Sequence, residues 1–196
     1  MKEIVFFSHN KYKINEVKKI LQDYKIKILT LYDFPKTYKP EETGKTFKEN
    51  AVIKSTFGFK SFGLPCFADD SGICISALNN QPGVKSKRFQ IENGGFKKTF
   101  KIIINQTKIK KNYNAFFQTS IALIIDNQSS AYFDGVVSGK ISKTPLGSQG
   151  FHYDPIFIPS GTNKTFAQMS EEEKNKISHR AIAIKKMKRF LLNLID

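Results

Sequence analysis

The sequence predicts an α/β fold, and three observations carry that prediction. A short apolar run, Glu3–Phe7, precedes apolar residues at helical spacing, which is the order of a buried strand and a helix. Apolar and polar residues alternate over Ala115–Ile125, and a return strand follows over Tyr132–Ile141 after a turn, which indicates a β-hairpin. Apolar residues from Ala181 to Leu194 then trace a closing amphipathic helix. Strands and helices therefore share one chain.

The first half of the chain adds a strand and two helices to this outline. Apolar residues over Ile14–Tyr24 predict the first helix, and Lys25–Leu31 alternates as the second strand. Asp33–Gly44 contains two prolines and predicts a loop. Thr46–Phe59 opens with a capping-box pattern and predicts the second helix.

The second half adds turns, helices and an aromatic loop to the hairpin. Asn79–Gly83 has the composition of a turn, and Phe96–Ile104 has helical spacing. Lys143–Gly150 predicts a loop, and Ile156–Pro159 is a short apolar run. A capping-box pattern at Ser170 predicts a further helical segment before the closing helix.

The central stretch Cys66–Ile75 sets two adjacent carboxylates, a hydroxyl and a glycine between two apolar runs. We interpret it as a strand that arrives, an acidic turn and a second extended run that leaves. In the simplest alternative, Asp69 and Asp70 only cap backbone amides and Gly72 supplies a positive φ angle. Buried carboxylates are costly unless cations, donors or a metal compensate them. Because adjacent side chains on an extended chain face opposite sides, the two aspartates are predicted to have different roles.

Composition narrows the class of protein and of partner. With 196 residues, of which 40% are hydrophobic, the chain can bury a sizeable core, and we expect one domain over residues 1–196. No apolar run approaches the roughly 20 residues of a membrane span, and the amino terminus does not resemble a signal peptide, so no membrane partner is expected. Cys66 and Cys74 fit reduced core residues of a cytoplasmic protein.

The formal net charge of +15 favours an anionic partner, either nucleic acid or a small polyanion such as a nucleoside triphosphate. No arginine-rich tract, zinc-finger spacing or RNA-binding aromatic signature accompanies it. Charge alone therefore does not choose between these partners.

A polar hexapeptide lies where the first strand turns into the first helix. Free backbone N–H groups and the helix dipole make such a position suitable for a phosphate. The alternative is a purely structural helix cap made by Asn10. The residues of the hexapeptide are Ser8, His9, Asn10, Lys11, Tyr12 and Lys13.

Taken in order, these segments resemble the Ham1-like inosine triphosphate pyrophosphatase family over nearly the whole chain. Each motif is common alone, but the ordered set is specific. The matching motifs are Ser8–Lys13, Glu41–Gly44 with Glu49-Asn50-Ala51 and Lys54, Ala68–Gly72, Pro82-Gly83 with Ser86 and Arg88, Phe151–Phe157, and Lys174–Arg180.

The resemblance implies hydrolysis of a non-standard purine nucleoside triphosphate (ITP, dITP or XTP) to the monophosphate and pyrophosphate, with Mg²⁺. It implies Glu42 and Asp70 as Mg²⁺ ligands, Asp70 as the proton acceptor and Asp69 as an orienting group. Attack at the α-phosphorus requires neutralised phosphates and a positioned water. Cations and hydrogen-bond donors for the phosphates are implied at Lys13, Lys54, Lys174, Arg180, Ser8, Asn10 and Ser71.

For the purine base, the resemblance implies a pocket of Phe151, His152, Tyr153 and Asp154, completed by His179 and Arg180. His152 departs from the family, which usually has glycine there, and Lys85 stands where an aromatic residue is common. We expect the His152 side chain to point outward into solvent, even if its backbone needs a positive φ angle.

The resemblance also implies a long mixed, twisted β-sheet flanked by helices, with two lobes around a central cleft, and a homodimer. Two rival functions remain at this point. One is a pyrophosphatase of the same chemistry with a different base preference, and the other is a basic nucleic-acid-binding protein. The second leaves Glu42 and Asp70 unexplained, because carboxylates repel phosphates unless a metal intervenes, and no stable nucleic-acid partner is expected.

Overall fold

The structure is a computed structural model, and it describes residues 3–24, 26–35 and 38–193. Lys25, at the start of the predicted second strand, and Leu194, at the end of the predicted closing helix, lie outside the described residues. Within the described residues the chain forms seven strands and six α-helices, joined by loops and short 3₁₀ turns. In chain order these are β1 (Glu3–Phe6), α1 (Lys11–Ile20), β2 (Lys27–Thr30), α2 (Phe47–Phe62), β3 (Cys66–Ile75), β4 (Gln81–Pro82), α3 (Ser86–Glu92), α4 (Phe96–Ile109), β5 (Asn114–Ile124), β6 (Ser130–Ile141), β7 (Phe157–Pro159), α5 (Glu171–Ile177) and α6 (His179–Leu192).

The strands form one mixed sheet in the order β2-β1-β3-β5-β6-β7, with β4 paired to β3. β1 runs parallel to β2 and β3, whereas β4 is antiparallel to β3 and β7 is antiparallel to β6. The predicted α/β class with a mixed sheet flanked by helices is therefore confirmed. α3 is a helix that the sequence patterns missed.

The chain divides into two compact units. The first contains residues 1–70, 119–135 and 180–196, and the second contains residues 71–118 and 136–179. β3, β5 and β6 contribute residues to both units. No helix among the described residues is long and apolar enough to cross a membrane.

In the first unit, alternation along the strands separates two apolar layers. Phe6 of β1 and Phe67 of β3 belong to the layer that contains side chains of α1 and α6. Cys66 and Ala68, at the alternate positions of β3, pack in the other layer, which contains aromatic residues of α2. Because β3 stays extended beyond these residues, successive side chains continue to enter opposite layers. This alternation positions the two aspartates that follow.

The second unit has its own core of buried side chains from β3, β5, α4 and the segment that follows β6. Phe117, Phe157 and Phe166 pack against one another in this core, with ring centroids 4.8 to 5.9 Å apart. Aromatic pairs at such distances add to the free energy gained from apolar burial. The core provides a rigid support for the loop that follows residue 150.

The acidic turn predicted within the central stretch is wrong, because β3 runs without interruption from Cys66 to Ile75. Gly72 has no positive φ angle. A Cβ atom at Gly72 would instead collide with the carbonyl oxygen of Gly83 and the hydroxyl of Ser86. Glycine is therefore required there for close approach of the chain, not for a turn.

Candidate active site

β3 presents Asp69 and Asp70 to opposite layers of the first unit, as the extended chain requires. Both carboxylates are buried, with residue exposures of 3% and 7%. Asp69 contacts side chains of α1 and α6, and Asp70 contacts side chains of α2. The two aspartates therefore face opposite sides of the chain, as expected, and the prediction that they have different roles stays a prediction.

Asp69 is held between two cations. Its Oδ2 atom lies 2.9 Å from Lys13 Nζ and 3.2 Å from Arg180 Nε. Burial alone would raise the pKa of Asp69, but Lys13 and Arg180 outweigh burial and hold that pKa well below its usual range. Burial also lowers the pKa of Lys13, and the charge of Asp69 opposes that shift only in part. Asp69 therefore stays ionised and orients both cations.

Arg180 is fully buried and also forms an ion pair with Glu16, through Nη1 and Oε2. Burial would lower the pKa of Arg180, but the carboxylates of Glu16 and Asp69 outweigh burial and raise it. Glu16 is a buried residue that the sequence patterns did not single out. Glu16 stands three residues after Lys13 in the amphipathic helix α1. The sequence shows there only a carboxylate beside the apolar positions of the helix, which does not predict an ion pair with Arg180.

Asp70 faces α2. Asn50 Nδ2 donates to Asp70 Oδ2 at 3.1 Å, and Lys54 Nζ donates to Asp70 Oδ1 at 3.2 Å. Lys54 Nζ also lies 3.7 Å from Glu42 Oε1. Burial raises the pKa of Asp70, because Lys54 and Lys13 offset burial only in part. Burial would lower the pKa of Lys54, but Asp70, Asp69 and Glu42 together raise it.

Asn50 links the loop that carries Glu42 to the aspartate on β3. The backbone N–H of Gly44 donates to Asn50 Oδ1 at 2.8 Å, while the amide of Asn50 donates to Asp70. Thr46 caps α2 by accepting from the Glu49 N–H, as the capping-box pattern predicts. Asn50 belongs to the motif set used in the sequence comparison, but it was not predicted as a site residue.

The chemistry of the donor set fits a divalent metal. No three His, Cys, Asp or Glu side chains among the described residues group together as a metal site would require. Mg²⁺ does not need such a group, because it is usually bound by one or two carboxylates together with water and substrate phosphates. Glu42 and Asp70 both lie within 4 Å of Lys54 Nζ, so the two carboxylates are close to the same position. These are the two carboxylates that could hold a divalent metal.

The hexapeptide, which runs from the loop after β1 into the first turn of α1, contains the helix cap considered in the sequence, and a phosphate site there stays a prediction. Asn10 caps α1, since its Oδ1 atom accepts from the N–H groups of Tyr12 and Lys13 at 3.0 and 3.3 Å. Ser8 is buried, and its hydroxyl accepts from the Asn10 N–H at 3.2 Å. His9, Lys11 and Tyr12 are exposed, and His9 packs edge-on against Phe7. Lys13, in the first turn of α1, forms the ion pair with Asp69 of β3.

In the second unit, the carboxylate of Asp154 holds the loop after residue 150 in place. Asp154 Oδ2 accepts from the Phe151 N–H and from Lys174 Nζ, each at 2.7 Å. Lys174 Nζ also lies 4.5 Å from the centre of the Phe151 ring, a cation–π contact. Asp154 and Lys174 are 2% and 4% exposed, so this is a buried ion pair.

His152 and Tyr153 are both held by packing. His152 has a φ angle of +57°, a strained conformation for a residue other than glycine. Its ring is half-buried and stacked on Phe96, with centroids 5.5 Å apart, so the expectation that His152 points into solvent is wrong. Tyr153 is buried in the core of this unit, where its hydroxyl donates to the Ser86 carbonyl at 2.7 Å. Tyr153 therefore supports the loop from within the core.

His179 and Ser71 complete the predicted set. His179 is buried and its ring stacks on Phe117, with centroids 4.7 Å apart. Ser71 follows Asp70 on β3 and is half-buried. Each predicted side chain thus has a defined place within its own unit: Lys13, Glu42, Lys54, Asp69, Asp70 and Arg180 in the first, and Ser71, Phe151 to Asp154, Lys174 and His179 in the second.

Comparison with known proteins identifies the family to which this chain belongs. The chain is 39% identical to a dITP/XTP pyrophosphatase of Porphyromonas gingivalis, over 98% of each chain. It is 41% identical to a dITP/XTP pyrophosphatase of Flavobacterium psychrophilum, over 97% of this chain and all of that one. The structure of a HAM1 protein from Coxiella burnetii matches with a TM-score of 0.89 at 36% identity, covering 98% of this chain and 100% of the other. Residues 4–190 match the model of the Ham1 family, and this chain belongs to that family.

Proposed function

We propose that this protein hydrolyses non-standard purine nucleoside triphosphates, namely ITP, dITP and XTP, to the monophosphate and pyrophosphate, and so removes them from the nucleotide pool. Full-length similarity to dITP/XTP pyrophosphatases supports this reaction. The structural observation that carries the proposal is two charged groups on the opposite faces of β3, which together we call the charged cluster. Asp69 lies with Lys13, Arg180 and Glu16 on one face, and Asp70 lies with Lys54 and Glu42 on the other.

The charges of this cluster suit a metal–triphosphate complex. Lys54 lies between the carboxylates of Asp70 and Glu42, and Lys39 Nζ lies 3.9 Å from Glu42 Oε1. These two carboxylates supply the oxygen ligands that a divalent cation prefers. Bound Mg²⁺, held by Glu42 and Asp70, would neutralise phosphate oxygens and stabilise the charge that develops on the leaving group. Lys13 and Lys54 would then be available to phosphate oxygens as point charges.

Hydrolysis at the α-phosphorus needs a proton acceptor near the attacking water. A bond forms from the water oxygen to the α-phosphorus, the bond from that phosphorus to the bridging oxygen breaks, and the water proton passes to Asp70. Asn50 and Lys54 hold the Asp70 carboxylate in one orientation for this step. Asp69 orients Lys13 and Arg180 and does not exchange protons in this scheme.

The proposal assigns the base to the second unit. Phe151 offers a ring on which a purine can stack, while the Asp154–Lys174 pair fixes the loop. His152 and His179 are assigned to the base as predicted, and Arg180 to the end of the cluster that meets the nucleoside. Ser8, Asn10 and Ser71 are assigned to the phosphates, with His9, Lys11 and Tyr12 at the exposed edge of their motif.

We further propose that residues 1–196 act as one catalytic domain, in the cytoplasm, as a homodimer and without a stable nucleic-acid partner. The family match over residues 4–190 supports the single domain. The buried, reduced Cys66 and Cys74 are consistent with a reducing compartment.

The proposed function is tested with a panel of nucleoside triphosphates that includes ITP, XTP, dITP, ATP, GTP and modified pyrimidine nucleotides. We expect pyrophosphate release from ITP, dITP and XTP in the presence of Mg²⁺, and loss of turnover when EDTA removes the metal. Release of orthophosphate with a nucleoside diphosphate product would contradict the proposed bond cleavage. Faster turnover of a modified pyrimidine nucleotide would contradict the proposed base preference.

A further inference from the structure

One stretch of the second unit carries a large share of the excess positive charge. Residues 85–111 contain nine of the 32 lysines and arginines and one of the 17 acidic residues, so they account for +8 of the net charge of +15. The acidic residue is Glu92. We name the exposed basic residues of this stretch the α3–α4 basic surface; they are Lys85, Lys87, Arg88, Lys97, Lys98, Lys101, Lys108, Lys110 and Lys111.

The periodicity of α4 puts much of this charge on one side of the helix. At 100° per residue, Lys97, Lys101 and Lys108 fall within a narrow arc, and Lys98 lies beside it. Phe100 and Ile103, on an adjoining side of α4, are buried and pack in the core. The arc runs from Lys97 to Lys108 and so extends over about 17 Å along the helix.

The lysines of the α3–α4 basic surface are available to a partner. Throughout residues 85–111, all of which the structure describes, no lysine lies within ion-pair distance of a carboxylate. Elsewhere in the chain, exposed lysines such as Lys27, Lys164 and Lys176 do have such partners. The charges of these lysines are therefore not balanced by an ion pair.

Exposed isoleucines accompany these lysines. Ile91 at the end of α3 is 61% exposed, and Ile102 and Ile109 of α4 are 38% and 65% exposed. Ile91 and Ile109 are the most exposed aliphatic side chains among the described residues. Ile102 and Ile109 are seven residues apart and so lie on the same line of α4, beside Lys98 and about 80 to 100° around the helix from the nearest lysine of the arc. Side chains of this kind gain free energy when they leave water.

We propose that the α3–α4 basic surface attaches the protein reversibly to an anionic lipid bilayer, with the lysines facing lipid phosphates and the isoleucines entering the interface. Lysine-rich surfaces are attracted to anionic lipids, and aliphatic side chains beside them add a second contribution to binding. A nucleic acid would account for the lysines but offers the isoleucines no apolar surface. Such attachment needs no membrane-spanning helix and does not depend on the proposed hydrolysis.

Flotation with lipid vesicles tests this proposal. The wild-type protein is mixed with vesicles of phosphatidylcholine alone or with about one-third phosphatidylglycerol, at about 0.1 M and about 0.5 M salt. We expect binding to the anionic vesicles at low salt, at least about tenfold weaker binding at high salt and little binding to the neutral vesicles.

Two sets of substitutions separate the two contributions. Lys97→Glu/Lys101→Glu/Lys108→Glu should abolish vesicle binding, and Ile102→Ser/Ile109→Ser should weaken it at least about fivefold. The control, Lys60→Glu/Lys140→Glu/Lys143→Glu, makes the same change in net charge at exposed positions elsewhere and should bind nearly as the wild type does. All three variants should release pyrophosphate from ITP at the wild-type rate, which also shows that they are folded.

Three outcomes would overturn the proposal. The first is equal binding to neutral and anionic vesicles, or none to either. The second is equal loss of binding in the control, since net charge alone would then explain it. The third is an unchanged affinity for vesicles in the isoleucine variant together with tight binding of a DNA or RNA oligonucleotide, which would assign the surface to nucleic acid.

Discussion

The charged cluster of the first unit and the aromatic loop of the second both contain buried carboxylate–lysine pairs, but they hold them differently. Asp69 contacts two cations, and Lys54 contacts both Asp70 and Glu42, so these charges have more than one partner. Asp154 instead pairs with Lys174 and accepts from the backbone of its own loop, while Lys174 Nζ also lies over the rings of Phe151 and Phe166. Carboxylates that share their cations can exchange one of them for substrate at modest cost, whereas removing one member of a buried ion pair leaves the other charge uncompensated. We therefore predict that the cluster takes part in the reaction and that the Asp154–Lys174 pair stabilises the folded loop.

The largest effect on activity is expected from Asp70→Asn. This substitution removes the proton acceptor and a metal ligand without changing the volume of the side chain, and it should lower kcat by about 10³-fold. Because Lys54 retains Glu42, the free energy of unfolding should change by about 1 kcal/mol or less. Steady-state pyrophosphate release and chemical denaturation measure the two quantities. A large loss of stability would mean that the cluster is mainly structural.

Asp154→Asn should have the opposite effect, with a large loss of stability. It leaves Lys174 buried without a carboxylate, and we expect unfolding to become easier by about 3 kcal/mol, measured by urea denaturation. Glu172→Gln is the matched control, because Glu172 pairs with Lys176 on the exposed face of α5 and should contribute about 0.5 kcal/mol or less. If the two variants were equally stable, the buried pair would not be the anchor of the loop.

Substitutions in the Glu41-Glu42 pair test which carboxylate serves the metal. Glu42→Gln should increase the Mg²⁺ concentration needed for half-maximal activity by about tenfold, because it removes one charged ligand. Glu41→Gln is the matched control and should have a much smaller effect. The titration of activity with Mg²⁺ decides between them, and a larger effect at Glu41 would reverse the assignment.

The smallest effect is expected from His152→Gly. Glycine relieves the positive φ angle of residue 152 but removes the ring that stacks on Phe96. Since these two contributions oppose each other, the ratio of kcat/KM for ITP to that for ATP should change by less than about tenfold, or about 1.4 kcal/mol. A larger change would show that His152 itself contacts the base. The aromatic loop would then take part in substrate selection and would not be only structural.

The sequence by itself determined the class of fold, most of its elements and the family. Local signals suffice for these, because hydrophobic period distinguishes helices from strands, the Thr46 cap marks where α2 begins and a capping box at Ser170 marks where α5 begins. The order of motifs along the chain was enough to single out Glu42, Lys54 and Asp70 as members of one site. The different surroundings of Asp69 and Asp70 also followed from the sequence, since alternation on an extended chain is a local property.

Only the tertiary structure decided which groups meet at long separation in the chain. Arg180 reaches Asp69 across 111 residues, and its second partner, Glu16, is 164 residues away. Gly72 pointed to a turn because a sequence does not show the carbonyl of Gly83 beside it. His152 was expected in solvent because nothing near it in the chain predicts the ring of Phe96. Local patterns report the energetics of a residue's own segment, whereas burial and ion pairing depend on segments that only folding brings together.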